Sequence, residues 1–486
     1  MIDFEKHLLQ TFQYSFFRFP QKEIIVRAYK QESLLALMPT GAGKSLTYQF
    51  LASLCEGAEL VLVVSPLIAL MQDQTQKARD YGLDATFINS SLSFDQKQNR
   101  MLQIKQGKYN LIFVAPERFR KPEFWDCLST RKVKTFVVDE AHCISLWGHD
   151  FRPDYSKLQE FRMRLGNPPL LALTATATGE VQKDIARQFH LDLSQNLILG
   201  GIERPLLSLN IFDCYSEVEK NEKLIQIMRD SAVVSPQSGG IVYFSLIQTL
   251  EAAARFLYQQ KIPFQKYHGD LPADQRRRNQ NDFLTGKTPW ILATPAFGLG
   301  IDKADIRHVV HYEIPSSIEA YFQEVGRAGR DGQKAWGHFL FSEDDLTIQM
   351  QFLNWAYPEK EFIEKVYDLI SSRPDIVAVQ GFEFLREQMV FKNKRDYRVN
   401  AAVSILNRWG CVEEAETPFG FVAVQPPTED DFKLEDQSLL KKEHQKKLLA
   451  LLRFIQNDQV CRLKQIYAYF NYEKAEDCGI CDVCVK

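Results

Sequence analysis

Short apolar runs alternate with longer amphipathic stretches along the first 340 or so residues of the chain. The apolar runs predict strands at Leu34–Met38, Leu60–Ser65, Leu111–Ala115, Thr135–Val138, Leu170–Thr174, Gly240–Phe244, Trp290–Ala293 and His308–Tyr312. Strands that alternate with helices favour parallel sheets covered on both faces. Because the pattern breaks near Gly200–Ser208, we predict two α/β lobes in tandem, at residues 1–205 and 206–343.

After Glu343 the strand pattern fades and helical spacing dominates. Tyr397–Trp409 predicts a helix, and Cys411–Ala415 and Phe421–Val424 predict two short strands around a turn at Thr417–Gly420. A helix followed by a hairpin is typical of a winged helix, whereas a helical bundle insertion is the alternative. We therefore predict a helical connector (344–372), a winged helix (373–430) and a helical metal-binding module (431–486).

The composition is that of a soluble globular protein. Of the 486 residues, 45% are hydrophobic and 25% are charged, and no apolar run approaches the roughly 20 residues needed to span a bilayer. The N-terminus has no signal-peptide pattern, so we expect a cytoplasmic protein without a membrane partner. The 59 lysines and arginines against 62 acidic residues give a net charge of −3, so a nucleic-acid partner would need locally concentrated positive charge.

A glycine-rich loop follows the first predicted strand. The run Met38-Pro-Thr-Gly-Ala-Gly-Lys-Ser45 leads into a helix. Backbone N–H groups of such a loop bind phosphates, the lysine reaches the β- and γ-phosphates, and the serine hydroxyl is a Mg²⁺ ligand. We therefore predict a nucleotide site formed by Thr40, Gly41, Ala42, Gly43, Lys44 and Ser45. The alternative is a glycine-rich turn that happens to contain a lysine.

An acidic pair ends a strand in Asp139-Glu-Ala-His142. At the carboxyl end of a buried strand, one carboxylate can hold Mg²⁺ and the other can polarise a water molecule. Solvated acidic residues are the alternative, and the nearby phosphate loop argues against it.

Two arginines lie one helical turn apart in Gln323-Glu-Val-Gly-Arg-Ala-Gly-Arg330. Charge that spreads over a γ-phosphate is stabilised by such guanidinium groups, so Arg327 and Arg330 are catalytic candidates. The alternative is a pair of surface salt bridges.

Four cysteines cluster at the C-terminus. Cys461, Cys478, Cys481 and Cys484 have the spacing of a closed Cys₄ zinc site, which is structural and not catalytic. An iron–sulfur cluster and free thiols are the alternatives.

The run Asp139-Glu-Ala-His-Cys-Ile-Ser-Leu-Trp-Gly-His-Asp-Phe-Arg-Pro-Asp-Tyr155 resembles the acidic motif and the aromatic-rich loop of the RecQ family of superfamily 2 DNA helicases. The resemblance covers about residues 10–345 and the last 30. It implies that the two lobes are RecA-like and that Tyr14, Arg18 and Gln21 recognise adenine. It also implies that Ser65 and Arg118 contact the DNA backbone and that Gly300 and Asp302 sense both nucleotide and DNA. In this family Thr174–Ala177 couples the lobes, and we expect His142 to do the same.

Trp147, Phe151 and Arg152 lie a few residues from the catalytic carboxylates, where a stacked base would affect the ATP site. The alternative is that the two aromatic residues belong to the core. Lys392, Lys394, Arg395 and Arg398 would contact the phosphates of duplex DNA if the winged helix is present, or would simply be solvated. The hairpin tip near Phe419 would then be a candidate wedge at the fork.

These observations predict a monomeric helicase that uses ATP, Mg²⁺ and Zn²⁺. The resemblance implies movement 3′ to 5′ on single-stranded DNA and unwinding of forked duplexes, in DNA repair or recombination. One alternative is an RNA helicase with the same ATPase. Another is a DNA-stimulated ATPase that acts as a clamp or regulator and binds DNA without unwinding it.

Overall fold

In the computed structural model, the described residues are 2–66, 68–145, 152–234, 239–298, 303–389, 396–414, 420–472 and 476–486. The chain divides into two compact units. The first comprises Met1–Glu313, Glu319–Leu340 and Asn457–Lys486, and the second comprises Ile314–Ile318 and Phe341–Gln456.

The first unit contains two sheets, one in each predicted lobe. The first sheet consists of β1 (Leu34–Leu37), β2 (Glu59–Val64), β3 (Ala85–Ile88), β4 (Leu111–Val114), β5 (Lys132–Val138), β6 (Leu170–Thr174) and β7 (Leu197–Leu199). Its strand order is β3-β4-β2-β5-β6-β1-β7, and every pairing is parallel. Its central strands read as continuous Val, Leu and Ile runs because helices cover both of their faces.

The second sheet consists of β8 (Leu207–Asp213), β9 (Gly240–Tyr243), β10 (Phe264–Tyr267), β11 (Trp290–Ala293), β12 (His308–His311) and β13 (Ala335–Phe341). The order is β10-β11-β9-β12-β13-β8, and the four pairings from β10 to β13 are parallel. The two sheets confirm the prediction of tandem α/β lobes. In both sheets the carboxyl ends of the central strands lead directly into the predicted motifs.

Helices connect the strands of both lobes. In the first lobe they are Phe4–His7, Gln21–Tyr29, Lys44–Ser53, Ile68–Asp80, Phe94–Lys105, Pro122–Leu128, Pro153–Ser156, Leu158–Arg164, Gly179–Phe189 and Leu193–Asn196, with a π-helix at Leu8–Phe12 and 3₁₀ turns at Pro116–Arg120 and Ala141–Ile144. In the second lobe they are Glu217–Val234, Ile247–Gln259, Ala273–Leu284 and Ile318–Val325, and the C-terminal Arg462–Tyr469 also belongs to this unit.

The second unit is mainly helical. Its helices are Asp345–Ala356, Lys360–Ser372, Pro374–Gln380, Phe382–Met389, Arg398–Arg408, Glu429–Leu434 and Gln437–Gln456. An antiparallel hairpin of β14 (Val412–Glu414) and β15 (Phe421–Ala423) follows the helix Arg398–Arg408. Ile363, Val366, Val403, Leu406 and Val412 belong to one buried cluster of this unit. The predicted helix and hairpin are therefore present, and their assignment as a winged helix remains a prediction.

No helix in the described part of the chain combines the length and the apolar character needed to cross a membrane.

Candidate active site and metal centre

The phosphate loop connects β1 to the helix Lys44–Ser53 and turns at two glycines in the left-handed region, Gly41 (φ +84°) and Gly43 (φ +78°). A Cβ at Gly43 would lie 2.4 Å from Nε2 of Gln21, so this turn requires glycine both for its backbone angle and for space. The loop ends at a helix N-terminus, where backbone N–H groups favour an anion. Lys44 and Ser45 line the adjoining cleft.

The residues expected to recognise adenine lie beside this loop. Gln21 donates from Nε2 to the carbonyl oxygens of Ala42 (3.0 Å) and Gly43 (3.1 Å), and Arg18 donates to that of Gly41 at 3.2 Å. The backbone N–H of Arg18 donates to Oε1 of Gln21 at 2.8 Å, which orients the amide. The side chains of Arg18 and Gln21, which are predicted to recognise the base, therefore also hold the phosphate loop.

Tyr14 lies at the exposed edge of the cleft. Its hydroxyl is 3.0 Å from that of Tyr81, and its ring is 45% exposed. A half-exposed ring at the edge of a cleft is available for stacking against a planar base.

The acidic pair directly follows β5. Asp139 is 6% exposed and accepts the backbone N–H of Glu140 at 3.0 Å, and Glu140 has the left-handed φ of +49°. Burial, together with the negative charge of Glu140, raises the pKa of Asp139 to about 7, while Lys44 acts in the opposite direction. A desolvated carboxylate of this kind gains from a bound cation, so the donor set fits Mg²⁺.

His142 is buried behind this pair. Its Nδ1 lies 3.0 Å from Oγ1 of Thr174 and 3.4 Å from Oε2 of Glu140. Thr174 ends β6 and begins the predicted coupling motif, Thr174–Ala177. The histidine therefore connects the acidic motif to the coupling motif through a single side chain.

The second lobe supplies the opposite wall of the cleft through Gln323, Arg327 and Arg330. Arg327 is 5% exposed and donates from Nη1 to the carbonyl oxygen of Gly298, and its Nε has no hydrogen-bond partner among the described residues. Cγ of Arg330 lies 3.0 Å from the position that a Cβ of Gly41 would occupy. Arg330 thus lies beside the phosphate loop, and both arginines line a cleft of about 440 Å³ to which both lobes contribute.

Sequence reasoning missed several residues of this cleft. Gln323 belongs to the arginine motif but received no role, and Gln74, Lys77 and Tyr81 are contributed by or adjoin the helix Ile68–Asp80. Gln74 ends the run Ser65–Gln74, which the family resemblance assigns to contacts with the DNA backbone and not to this cleft. Lys77 and Tyr81 are near the site only because the chain folds, so the spacing of the motifs gives no signal for them.

The predicted DNA-contacting residues are only partly described. Arg152 donates to the carbonyl oxygen of Pro66 at 2.9 Å. Arg118 lies within the 3₁₀ turn Pro116–Arg120, which follows β4. Ser65 is 1% exposed and its hydroxyl has no hydrogen-bond partner within the described ranges, so it is a buried group in this conformation. Trp147, Phe151, Gly300, Asp302, Lys392, Lys394, Arg395 and Phe419 lie outside the described residues.

Arg398 is bound to a carboxylate of its own unit. Its guanidinium donates to Asp396 at 2.6 to 3.1 Å through Nε and Nη2, and Asp396 is 4% exposed. This ion pair offsets much of the positive charge that Arg398 would offer to DNA. Its role in duplex binding stays a prediction.

The four C-terminal cysteines converge as predicted. Their Sγ atoms all lie within 4.8 Å of one another, with Cys481 and Cys484 at 3.4 Å and Cys478 and Cys484 at 3.9 Å. A tetrahedral zinc site with Zn–S bonds of about 2.3 Å places sulfurs about 3.8 Å apart. The donor set and its size therefore fit Zn²⁺.

The metal site is attached to the second lobe. Arg462, which follows the ligand Cys461, forms a bidentate pair with Asp482 at 2.9 and 3.0 Å. Asp482 also accepts the backbone N–H of Ile211 at 3.1 Å and donates its own to Leu209 at 3.0 Å, both in β8. Folding around the metal therefore also completes the edge of the second sheet.

Comparisons with known proteins agree with this arrangement. Residues 18–185 match the DEAD/DEAH box helicase family, and residues 219–332 match the helicase conserved C-terminal domain. Residues 428–485 match the RecQ zinc-binding family. The three matches coincide with the first lobe, the second lobe and the cysteine cluster.

Two relatives come from Bacillus subtilis (strain 168). The chain is 36% identical to a probable ATP-dependent DNA helicase RecS over 76% of its own length and 72% of the relative. It is 38% identical to the ATP-dependent DNA helicase RecQ over 73% of its own length but only 58% of that protein.

A solved structure has the same fold at low identity. The helicase MrfA bound to DNA has a TM-score of 0.59 and 14% identity over 88% of this chain and 60% of that one. The two lobes, the composite cleft, the zinc cysteines and the relatives agree, and the chain therefore belongs to the RecQ family of superfamily 2 helicases, as an ATP-hydrolysing DNA helicase.

Proposed function

We propose that this protein moves 3′ to 5′ along single-stranded DNA and separates forked duplexes, as a monomer in the cytoplasm, in DNA repair or recombination. The observation that carries the proposal is the cleft between Lys44 and Asp139 of the first lobe and Arg327 of the second. A nucleotide held by both lobes favours their closed arrangement, and its hydrolysis removes that preference. Each turnover would thereby move one lobe relative to the other along the strand.

Residues of both lobes take part in ATP hydrolysis, each with a different role. Lys44 binds the β- and γ-phosphates, and Glu140 orients the attacking water. Arg327 and Arg330 stabilise the charge that develops on the γ-phosphate. Mg²⁺, when bound through Ser45 and Asp139, would neutralise phosphate charge.

Nucleotide recognition extends to the edge of the first lobe. Tyr14 stacks on the adenine, and Arg18 and Gln21 bind its polar edge. Because Gln21 also donates to the carbonyl oxygens of Ala42 and Gly43, binding of the base stabilises one conformation of the phosphate loop.

We expect DNA binding to affect the site of ATP hydrolysis through two contacts. Arg152 joins the end of the aromatic-rich segment to Pro66, which follows β2, and His142 joins the acidic motif to Thr174. A base stacked on Trp147 or Phe151 would act on the carboxylates through this short segment. The zinc ion would stabilise the C-terminal module and take no part in the reaction.

The proposal is tested with two duplexes, one with a 3′ single-stranded tail and one with a 5′ tail. Wild type and Lys44→Ala are compared, and ATP hydrolysis is followed in the same reactions. We expect ATP-dependent unwinding of the 3′-tailed duplex only, and its loss in the variant. DNA-stimulated hydrolysis without strand separation would instead identify a clamp, and unwinding from the 5′ tail would reverse the polarity.

A further inference from the structure

The segment that joins the two lobes contacts the loop that carries Arg327. Arg204 lies between β7 and β8, and it donates from Nη1 to the carbonyl oxygen of Gly326 at 2.8 Å and from Nη2 to that of Ala328. These two carbonyl groups flank Arg327 on either side. The first carbonyl belongs to the peptide plane directly before Arg327 and the second to the plane after Ala328, so the two bonds restrain the backbone on both sides of Arg327.

This loop needs an external support. The helix Ile318–Val325 ends just before it, so the carbonyl groups that follow have no partner further along a helix. Gly326 and Gly329, the latter at φ +63°, give the loop a permissive backbone. A cation at a helix C-terminus is also favoured by the helix dipole, and Arg204 occupies that position.

The C-terminal segment Asn457–Lys486, which carries the four cysteines and is called the zinc module here, contacts Arg204. The hydroxyl of Tyr467 accepts the backbone N–H of Arg204 at 3.3 Å, and Tyr467 is 1% exposed. Tyr467 belongs to the helix Arg462–Tyr469, which is preceded by the metal ligand Cys461. Phe470, at the end of this helix, packs its ring 5.6 Å from that of Phe322.

We propose that Arg204 is a positioning residue for Arg327, and that Tyr467 of the zinc module holds Arg204 in place. The proposal rests on the catalytic role proposed above for Arg327. It gives the zinc module a second function besides stability, because its C-terminal helix contacts both Arg204 and the helix Ile318–Val325 that leads into the loop carrying Arg327. Arg204 itself is not among the residues that line the nucleotide cleft.

A double-mutant cycle tests the first half of the proposal. Wild type, Arg204→Met, Arg327→Ala and the double variant are compared for ATP hydrolysis at saturating single-stranded DNA. We expect Arg204→Met to lower kcat roughly 10- to 100-fold with KM for ATP little changed, because a small misplacement of a catalytic group has effects of this size. The double variant should match Arg327→Ala, since a misplaced loop has no further effect once the guanidinium is gone.

The positioning role would be overturned if the fold-losses in kcat of the two single variants multiplied in the double variant, or if Arg204→Met had a normal kcat. A normal kcat in Arg327→Ala would instead overturn the role of Arg327 itself, so the two failures are distinguishable. Arg162→Met is the matched control for lost stability, because Arg162 is also a buried arginine that donates to a backbone carbonyl, that of Pro168 at 2.7 Å. Arg204→Lys, which retains the cation, should recover part of the activity, and no recovery would argue against positioning by this cation.

Tyr467→Phe tests the second half with the loss of one oxygen atom. We expect kcat to fall about three- to tenfold, the effect of one hydrogen bond, with unchanged zinc content and KM. Tyr472→Phe is the control, because the hydroxyl of Tyr472 is buried in the same module and has no hydrogen-bond partner among the described residues. Equal effects of the two variants, or a kcat of Tyr467→Phe at the wild-type level, would overturn the link to the zinc module.

Discussion

Nδ1 of His142 lies 3.0 Å from Oγ1 of Thr174, so one buried contact joins the end of the acidic motif to the end of β6. The same nitrogen is 3.4 Å from Oε2 of Glu140, the residue proposed to orient the attacking water. A movement of Glu140 can therefore be transmitted through His142 to the segment Thr174–Ala177. This geometry explains how His142 can affect coupling without acting as an acid or base.

Thr174→Val should separate hydrolysis from unwinding. The substitution keeps the shape of the side chain but removes the hydroxyl that contacts His142 and accepts the backbone N–H of Thr176. We expect DNA-stimulated ATP hydrolysis within about threefold of wild type. Unwinding should fall at least tenfold, and both activities are measured in the same reactions.

Thr176→Val is the control for this change, because the buried hydroxyl of Thr176 has no hydrogen-bond partner among the described residues. It should leave both activities unchanged. A parallel fall of hydrolysis and unwinding in Thr174→Val would show that the contact serves catalysis and not coupling.

Gly43→Ala should weaken nucleotide binding. A Cβ at this position would lie 2.4 Å from Nε2 of Gln21 and would displace the amide that holds the phosphate loop. Titration with a fluorescent ATP analogue should show at least a tenfold weaker Kd, which corresponds to about 1.4 kcal/mol.

Gly82→Ala is the control that distinguishes the steric clash at Gly43 from the strain of a left-handed backbone. Gly82 has a similar φ of +80°, but no atom lies within 4 Å of its added Cβ. The variant should lose roughly 1 kcal/mol of stability from the left-handed conformation and bind ATP normally. Normal binding by Gly43→Ala as well would mean that Gln21 does not hold the loop.

Cys481→Ser should release zinc and lower the thermal midpoint by several degrees, because metal binding contributes free energy of folding. Zinc content and a melting curve are measured on the same preparation. Cys55→Ser is the control, since the hydroxyl can keep the bond that Sγ of Cys55 makes to the carbonyl oxygen of Leu51. Retention of zinc by Cys481→Ser would contradict a Cys₄ site.

Arg398→Gln should lower stability more than DNA affinity. The substitution leaves the buried carboxylate of Asp396 without its partner, and an uncompensated buried charge is destabilising. Asp396→Asn combined with Arg398→Gln should recover much of the lost stability.

The salt dependence of duplex binding distinguishes this structural role from a phosphate contact. We expect the slope of log K against log salt to stay the same in Arg398→Gln. A slope smaller by about one would show that Arg398 contacts a phosphate group.

The eight strands predicted in the two lobes are all present, and four of the five missed strands share one feature, whereas the fifth, β13, lies inside its sheet. β3, β7, β8 and β10 are the edge strands of the two sheets. An edge strand can keep polar residues, as Phe264–Tyr267 shows with Gln265 and Lys266 at its centre, whereas β3 is fully buried but only four residues long. Short mixed runs of this kind do not stand out from loops.

In the candidate site, too, some residues could be predicted from the sequence and others could not. Lys44, Asp139 and Arg327 were identified because each belongs to a contiguous run whose spacing reflects its chemistry. The support that Arg204 gives to the carbonyl groups beside Arg327 joins positions more than 120 residues apart, and Tyr467 is more distant still. No local pattern encodes such contacts, because they arise only when the lobes and the zinc module pack together.

The central claim is that Arg327 of the second lobe completes the nucleotide site of the first. The most direct test is ATP hydrolysis by Arg327→Ala at saturating single-stranded DNA, beside Arg277→Ala, which removes an exposed arginine from the same lobe. We expect Arg327→Ala to bind ATP but to lose roughly 1,000-fold or more in kcat, as for other arginines that stabilise a γ-phosphate, and Arg277→Ala to remain active. A kcat of Arg327→Ala within threefold of wild type would contradict the composite site.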